Sequence, residues 1–201
     1  MPHLERGLEL LTEPTIRPIT REEVKDHLRI DQTNTSEDAF IDTLILMATE
    51  YYQSRSWRQL ITATYIQRFD EFPAFSFELR KPPLQSITSI KYIDENEVEQ
   101  TLPTSVFEVD TFSEVGKVQE ADGESFPTVN TQLNAVKVEY KAGFGDTRDD
   151  VPDLIKSTIK LIVAHFYENR DMVRVTTGVS EIPIPQAIGN LIDQNSIRSF
   201  V

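Results

Sequence analysis

The chain has 201 residues, no cysteine and a formal net charge of −13, and 39% of it is apolar. That length and apolar share support a real core, and the missing thiols exclude disulfides and thiolate metal sites. The acidity argues against a nonspecific duplex binder, which needs a basic face to neutralise phosphates. No run approaches the ~20 apolar residues of a membrane helix. Met1 to Leu11 lacks the basic start and apolar run of a signal peptide, so neither a membrane nor a leader is expected.

Residues 1–17 contain Pro2 and Pro14, show no sustained period and read as an arm. A helix is expected from Thr20, where Thr20 and Glu23 have capping-box spacing and Val24 and Leu28 share a face. A polar linker, Asp31 to Thr35, separates it from a stronger helix. There Ser36 is a candidate N-cap, and Glu37 and Asp38 suit the positive end of the helix dipole. Phe40, Ile41, Leu44, Ile45, Ala48, Tyr51 and Tyr52 form a wide apolar stripe that runs to about Ser56.

From Leu60 the period becomes two. Ile61, Ala63, Tyr65 and Phe69 alternate, with Gln67 interrupting the apolar series, and Phe75, Phe77 and Leu79 follow. Ile87–Ile93, Val106–Asp110 and Val136–Ala142 read as further strands. Pro82-Pro83, Asp94 to Asn96, Gly123 and Gly143 to Gly145 punctuate them as turns.

Helix returns at Pro152, a favoured first-turn residue, with Ile155, Ile159, Ile162, Val163 and Phe166 on its buried stripe. After a loop around Thr176 to Pro185, a short amphipathic helix carries Ala187, Ile188, Leu191 and Ile192. The reading is an α+β protein: a helical core of about four helices with a small antiparallel β unit inserted. Its expected parts are an arm (1–17), a helical core (18–58 and 151–201, with a C-terminal docking tail) and the inserted β unit (59–150). Residues 59–150 hold 8 basic and 17 acidic side chains, net −9, whereas 151–201 is neutral with five of each. Most of the acidity therefore belongs to the β unit.

No residue set amounts to a complete catalytic centre. His3, His27 and His165 are scattered, and His165 with Glu168 reverses the order of the Glu-x-x-His metal motif. Glu139-Tyr140-Lys141 gives the second half of a nuclease pattern with no matching first acid; the alternative is a charged, solvated strand face. Gly143-Phe144-Gly145 is neither phosphate-loop pattern and reads as a strand exit. Asp149-Asp150 reads as a helix-start charge cluster rather than a catalytic dyad. Tyr51, Tyr52, Arg55, Trp57 and Arg58 combine aromatics with cations, as a single-strand stacking platform does, or else continue the core stripe. The expectation is that the chain is not an enzyme and needs no cofactor or metal. A metal-dependent nuclease or hydrolase is the alternative.

The segment Pro18-Ile-Thr-Arg-Glu-Glu-Val-Lys-Asp-His-Leu-Arg-Ile-Asp31, followed in order by Trp57-Arg-Gln-Leu60, Phe69-Asp-Glu-Phe-Pro73 and Leu79-Arg-Lys-Pro-Pro-Leu84, resembles the tailed-phage head–tail connector, or portal adaptor, family. Ser86 to Asp94 resembles the family's strand pair, and Val138-Glu-Tyr-Lys-Ala-Gly-Phe-Gly145 resembles its YxAGFG segment. Val151-Pro152-Asp-Leu-Ile-Lys156, Glu168-Asn-Arg170 and Pro185-Gln-Ala-Ile-Gly-Asn-Leu191 resemble its later helices. The resemblance implies a structural subunit at the virion neck, in a ring of about twelve copies closed by heterologous contacts. It implies contacts with a portal protein on one side and a stopper or tail-terminator protein on the other. DNA would pass through the channel without specific binding, and acidic residues facing it would repel it. The segment 182–201 is the expected portal-docking tail, with Ile188, Leu191, Ile192, Ile197, Arg198 and Phe200 as its contacts; the alternative is a helix that caps its own core.

Overall fold

The computed structural model describes residues 7–170, 173–176, 178–181 and 184–197. They form two compact units. The first is mainly Trp57–Asp146, joined by the N-terminal strand. The second is assembled from Ile16–Ser56 and Thr147–Ser196, on either side of the first in sequence. The α+β class expected from the sequence holds, with four α-helices among the described residues.

In the first unit the strands are β1 (Leu8–Thr12), β2 (Ala63–Phe69), β3 (Ser76–Glu78), β4 (Leu84–Ile93), β5 (Glu99–Thr101), β6 (Phe107–Asp110), β7 (Lys117–Glu120) and β8 (Val136–Ala142). They make a five-stranded sheet in the order β1-β2-β8-β4-β5 and a three-stranded sheet in the order β3-β7-β6, with every pairing antiparallel. The inward side chains of both sheets enter one apolar cluster that includes Tyr65, Phe77, Leu79, Ile90, Val118, Val138 and Tyr140. Tyr65 and Tyr140 are register partners on β2 and β8, and their rings stack with centroids 6.0 Å apart.

Gln67, the residue that broke the apolar alternation, points into this core and is 6% exposed. Its Oε1 accepts the Arg80 amide at 3.0 Å and its Nε2 donates to the Glu78 carbonyl at 3.3 Å. A buried amide thus fastens the chain leaving β3 to the middle of β2, satisfying backbone groups that have no ladder partner. The Gly143-Phe144-Gly145 segment is a strand exit. Phe144 N–H donates to the Leu60 carbonyl at 2.9 Å and Thr62 N–H to the Gly145 carbonyl at 3.0 Å. Gly143 has φ of 131°, and a Cβ there would lie 2.8 Å from the Ile61 carbonyl carbon, so only glycine fits.

The second unit contains α1 (Arg21–Leu28), α2 (Asp38–Ser56), α3 (Asp153–Glu168) and α4 (Gln186–Asp193), with a 3-10 turn at Arg148–Asp150 and a hairpin of β9 (Val173–Thr176) and β10 (Gly178–Glu181). The Thr20–Glu23 capping box forms as expected: Glu23 N–H reaches Thr20 Oγ1 at 3.1 Å, and Thr20 N–H reaches Glu23 Oε2 at 2.7 Å. Ser36 does not cap α2 through its hydroxyl, which donates instead to Asn34 Oδ1 at 2.7 Å inside the linker turn. Pro152 is the residue before α3 rather than its first turn, and the expected loop at Thr176 contains the β9–β10 hairpin.

α2 packs on α3, and α4 packs on both. Leu44, Ile159 and Val163 are buried, and Phe40 is half-buried at the edge. There Phe40 meets Tyr167 with ring centroids 6.2 Å apart and lies under the Arg170 guanidinium at 4.6 Å. Glu37 ties the same corner: its carboxylate accepts from Tyr167 Oη and from Arg170 Nη2, each at 2.6 Å. The Tyr167 hydrogen bond, then that of Arg170, holds the Glu37 carboxyl below the usual carboxylate range.

Candidate functional site: the loop end of the β unit

All eight strands of the β unit run between two ends, and one end gathers three loops: residues 70–75, 94–98 and 121–135. Hydrogen bonds tie these loops to one another and to the neighbouring strand ends. Asn134 N–H donates to Asp70 Oδ1 at 2.7 Å, Asn130 N–H to the Ile93 carbonyl at 2.9 Å, and Glu120 N–H to the Phe75 carbonyl at 3.1 Å. Beneath them Phe72 stacks on Phe126 with centroids 4.7 Å apart and meets Tyr92 edge-on at 5.9 Å. Phe126 N–H donates to Glu120 Oε1 at 2.8 Å, which fixes the third loop over the same rings.

The 94–98 turn has its own internal clamp. Asp94 Oδ1 accepts the amides of Asn96 at 2.9 Å and Val98 at 3.0 Å, and its Oδ2 accepts from Gln100 Nε2 at 2.9 Å. These bonds, the Val98 amide first, pull the Asp94 carboxyl below its ordinary pKa.

Over this anchored base the loops expose apolar side chains. Phe75 is 79% exposed, Leu133 78% and Val98 51%. Phe75 also has φ of 65°, a left-handed conformation that costs a bulky residue roughly 1–3 kcal/mol. Its backbone is nevertheless pinned by the Glu120 bond. The three loops contain seven acidic residues and no Lys or Arg. Exposed apolar area on rigid loops is a feature of contact surfaces. At the opposite end of the strands Phe112 is fully exposed, Trp57 is 42% exposed with Lys81 Nζ 6.0 Å from its ring, and Arg58 pairs with Glu114.

The residues weighed for chemistry stand apart. Glu139 and Lys141 lie on the outer face of β8, opposite Val138 and Tyr140, as alternation requires. His165 is half-buried beside Asn169, whose Nδ2 lies 3.4 Å from its Nδ1, and Glu168 is exposed. Asp150 Oδ2 accepts from both the amide and the hydroxyl of Thr147 at 2.8 Å, which explains the acidic pair as turn chemistry. Among the described residues no group of three or more His, Asp and Glu is placed to hold a metal ion. The aromatic and basic group near residue 55 is not a stacking platform. Tyr52 is fully buried, Tyr51 meets Phe166 edge-on at 6.3 Å, and Arg55 pairs with Asp193 at 3.2 Å.

The expected docking residues divide. Ile188 and Ile192 are 7% and 0% exposed on α4, whose neighbours are α2 and α3, and Ile197 is 7% exposed. In this conformation those three are committed to the chain's own interior, as in the core-capping alternative. Leu191 is half-buried, and Arg198 and Phe200 lie outside the described residues, as does His3. The loop end of the β unit was not singled out from sequence. Its only sequence signal is an uncompensated large apolar residue in each of three acidic loops.

Residues 18–109 match the family model described as phage gp6-like head-tail connector protein. Solved structures agree on the fold across nearly the whole chain. A chain of the virion of a native gene transfer agent particle superposes with a TM-score of 0.74 at 20% identity, covering 96% of each chain. A chain from the neck of the empty particle, computed with C6 symmetry, gives the same values. One from the neck of the native particle, computed with C12 symmetry, gives 0.70 at the same identity and coverage. No curated protein sequence matches the chain significantly.

Proposed function

We propose that this chain is a structural connector subunit at the neck of a tailed-phage or gene-transfer-agent particle, where copies close into a ring through which DNA passes. One coincidence carries the reading. The segment that matches a head–tail connector model lies inside a fold shared, end to end, with chains of gene transfer agent particles, including two from necks. The ring has about twelve copies, by analogy with the neck computed with C12 symmetry. Its axial neighbours are the portal on one side and a stopper or tail-terminator protein on the other. Docking to the portal falls to the C-terminal segment beyond the buried α4 residues. The acidity of the β unit supports DNA passage without grip, since like charge repels the phosphates.

Electron microscopy of the particle together with native mass measurement of the purified chain tests this. The expected result is a closed oligomer located at the neck. A monomer that hydrolyses DNA in a metal-dependent way, and is absent from the particle, would overturn the assignment.

A further inference from the structure

We propose that the loop end of the β unit is a docking surface for a different protein that presents a basic, apolar-pocketed face. Phe75, Val98 and Leu133 project from three loops that are locked together beneath by Phe72, Tyr92 and Phe126. Such tips are pre-organised, so a partner gains apolar contact without the cost of ordering the loops. The left-handed φ at Phe75 points the same way: the fold holds a large side chain outward in a conformation that it disfavours.

Charge selects the occupant. Glu71, Glu95, Glu97 and Glu124 are exposed around these tips, and none of the three loops contains a cation. Nucleic acid and anionic lipid are repelled there. Two copies do not pair loop end to loop end, because both ends are equally acidic. A basic protein face satisfies both the carboxylates and the apolar tips. The exposed Phe75, Val98 and Leu133 are apolar projections of a kind that a surface merely lining a channel does not need.

The choice of test system rests on the neck reading. A photo-crosslinking amino acid replaces Phe75 in the full chain, and assembled particles are irradiated. The expected product joins this chain to another neck protein at a basic segment. Two variants are tested alongside, Phe75→Asn with Leu133→Ser and Glu71→Lys with Glu97→Lys and Glu124→Lys. Each is expected to weaken binding of that purified neck protein by at least about tenfold, with thermal unfolding and ring mass unchanged. The charge variant is also expected to flatten the salt dependence. Crosslinks only to a second copy, no crosslinks in particles that contain the chain, or unchanged binding by both variants would overturn this inference while leaving the neck reading intact. Absence of the wild-type chain from the particle would sink the neck reading, and this inference with it.

Discussion

The ammonium of Lys25 lies 2.5 Å from Oδ1 of Asp38, and the lysine side chain is only 3% exposed. The same Nζ donates to the Asn34 carbonyl at 2.8 Å and the Gln32 carbonyl at 3.4 Å, so one buried cation closes the whole linker between α1 and α2. Arg21 reaches the other oxygen of Asp38 at 2.9 Å. Removing the lysine leaves the buried Oδ1 of Asp38 and two carbonyls without their cation, while Arg21 still holds Oδ2. Lys25→Ala is therefore expected to cost about 2 kcal/mol, read as a shift in the denaturant midpoint. A loss below about 0.5 kcal/mol, the scale of an ordinary surface substitution, would count against the latch.

Leu44 is 3% exposed on α2, which packs on α3. Leu44→Ala is expected to lower stability by roughly 2–5 kcal/mol, the range for deleting a buried leucine side chain. An unchanged unfolding midpoint would refute the placement of that helix pair.

The helices were legible because their stripes are long and their caps are local chemistry: Thr20, Glu23 and the 3.6-residue repeat of α2 and α3 all lie in one stretch of chain. The long strands were legible from alternation. The short ones were not. β5 reads Glu-Gln-Thr with no apolar residue, and β7 turns only Val118 inward, so neither offers a period to detect. β1 was read as an arm because Leu8, Leu10 and Leu11 do not alternate cleanly; a register shift between Leu10 and Thr12 on pairing with β2 accounts for the odd leucine. Gln67 looked like a break in β2, yet its partners, Glu78 and Arg80, lie over ten residues away. The candidate surface was hidden for a similar reason. Phe75 falls in an alternating series with Phe77 and Leu79, and only its backbone conformation turns it out to solvent. The stripe of α4 was visible, but periodicity does not say whether a stripe faces its own core or a partner.

Gly143 separates two effects that glycine substitutions usually mix. Its φ of 131° is strained for any other residue, and its missing Cβ leaves room for the Ile61 backbone at 2.8 Å. Gly123 has φ of 77° but nothing within 4 Å of a built Cβ. Gly123→Ala is expected to cost about 1 kcal/mol from backbone strain alone, and Gly143→Ala clearly more. Equal melting temperatures for the two variants would show that the contact at Gly143 carries no weight.

Acid stability follows from carboxylates held below their ordinary pKa. Hydrogen bonding from Lys25 lowers Asp38, that from Tyr167 lowers Glu37, the Val98 amide lowers Asp94, and Lys137 lowers Glu99. Each folded pKa lies beneath its unfolded value near ~4. The stabilisation is therefore complete above the unfolded pKa and disappears as pH falls through the folded one. Melting temperature is expected to be flat in pH as regards these groups above about 5 and to fall below about 4. Asp38→Asn should shallow that acidic limb. A limb of unchanged steepness in this variant would remove Asp38 from the explanation.

The C-terminal segment offers the sharpest separation of folding from assembly. Ile188 and Ile192 are buried on α4, and Asp193 holds Arg55 of α2 through two contacts at 3.2 and 3.3 Å. Ending the chain after Pro185 removes all three, along with the buried Ile197. That truncation is expected to destabilise the helical unit by several kcal/mol, each buried isoleucine contributing roughly 2–5, so loss of assembly in it says nothing about docking. Ending the chain after Ile197 removes only Arg198, Ser199, Phe200 and Val201 and keeps every buried residue of α4. If those four residues engage the portal, with Arg198 and Phe200 as the anchors, the shorter chain keeps the wild-type unfolding midpoint but no longer joins the neck. The two measurements are a denaturant melt of the purified chain and its incorporation into particles. An unchanged midpoint with normal incorporation rules the docking role out. A large drop in midpoint would show instead that the last four residues belong to the fold, and that they are not free to serve a partner.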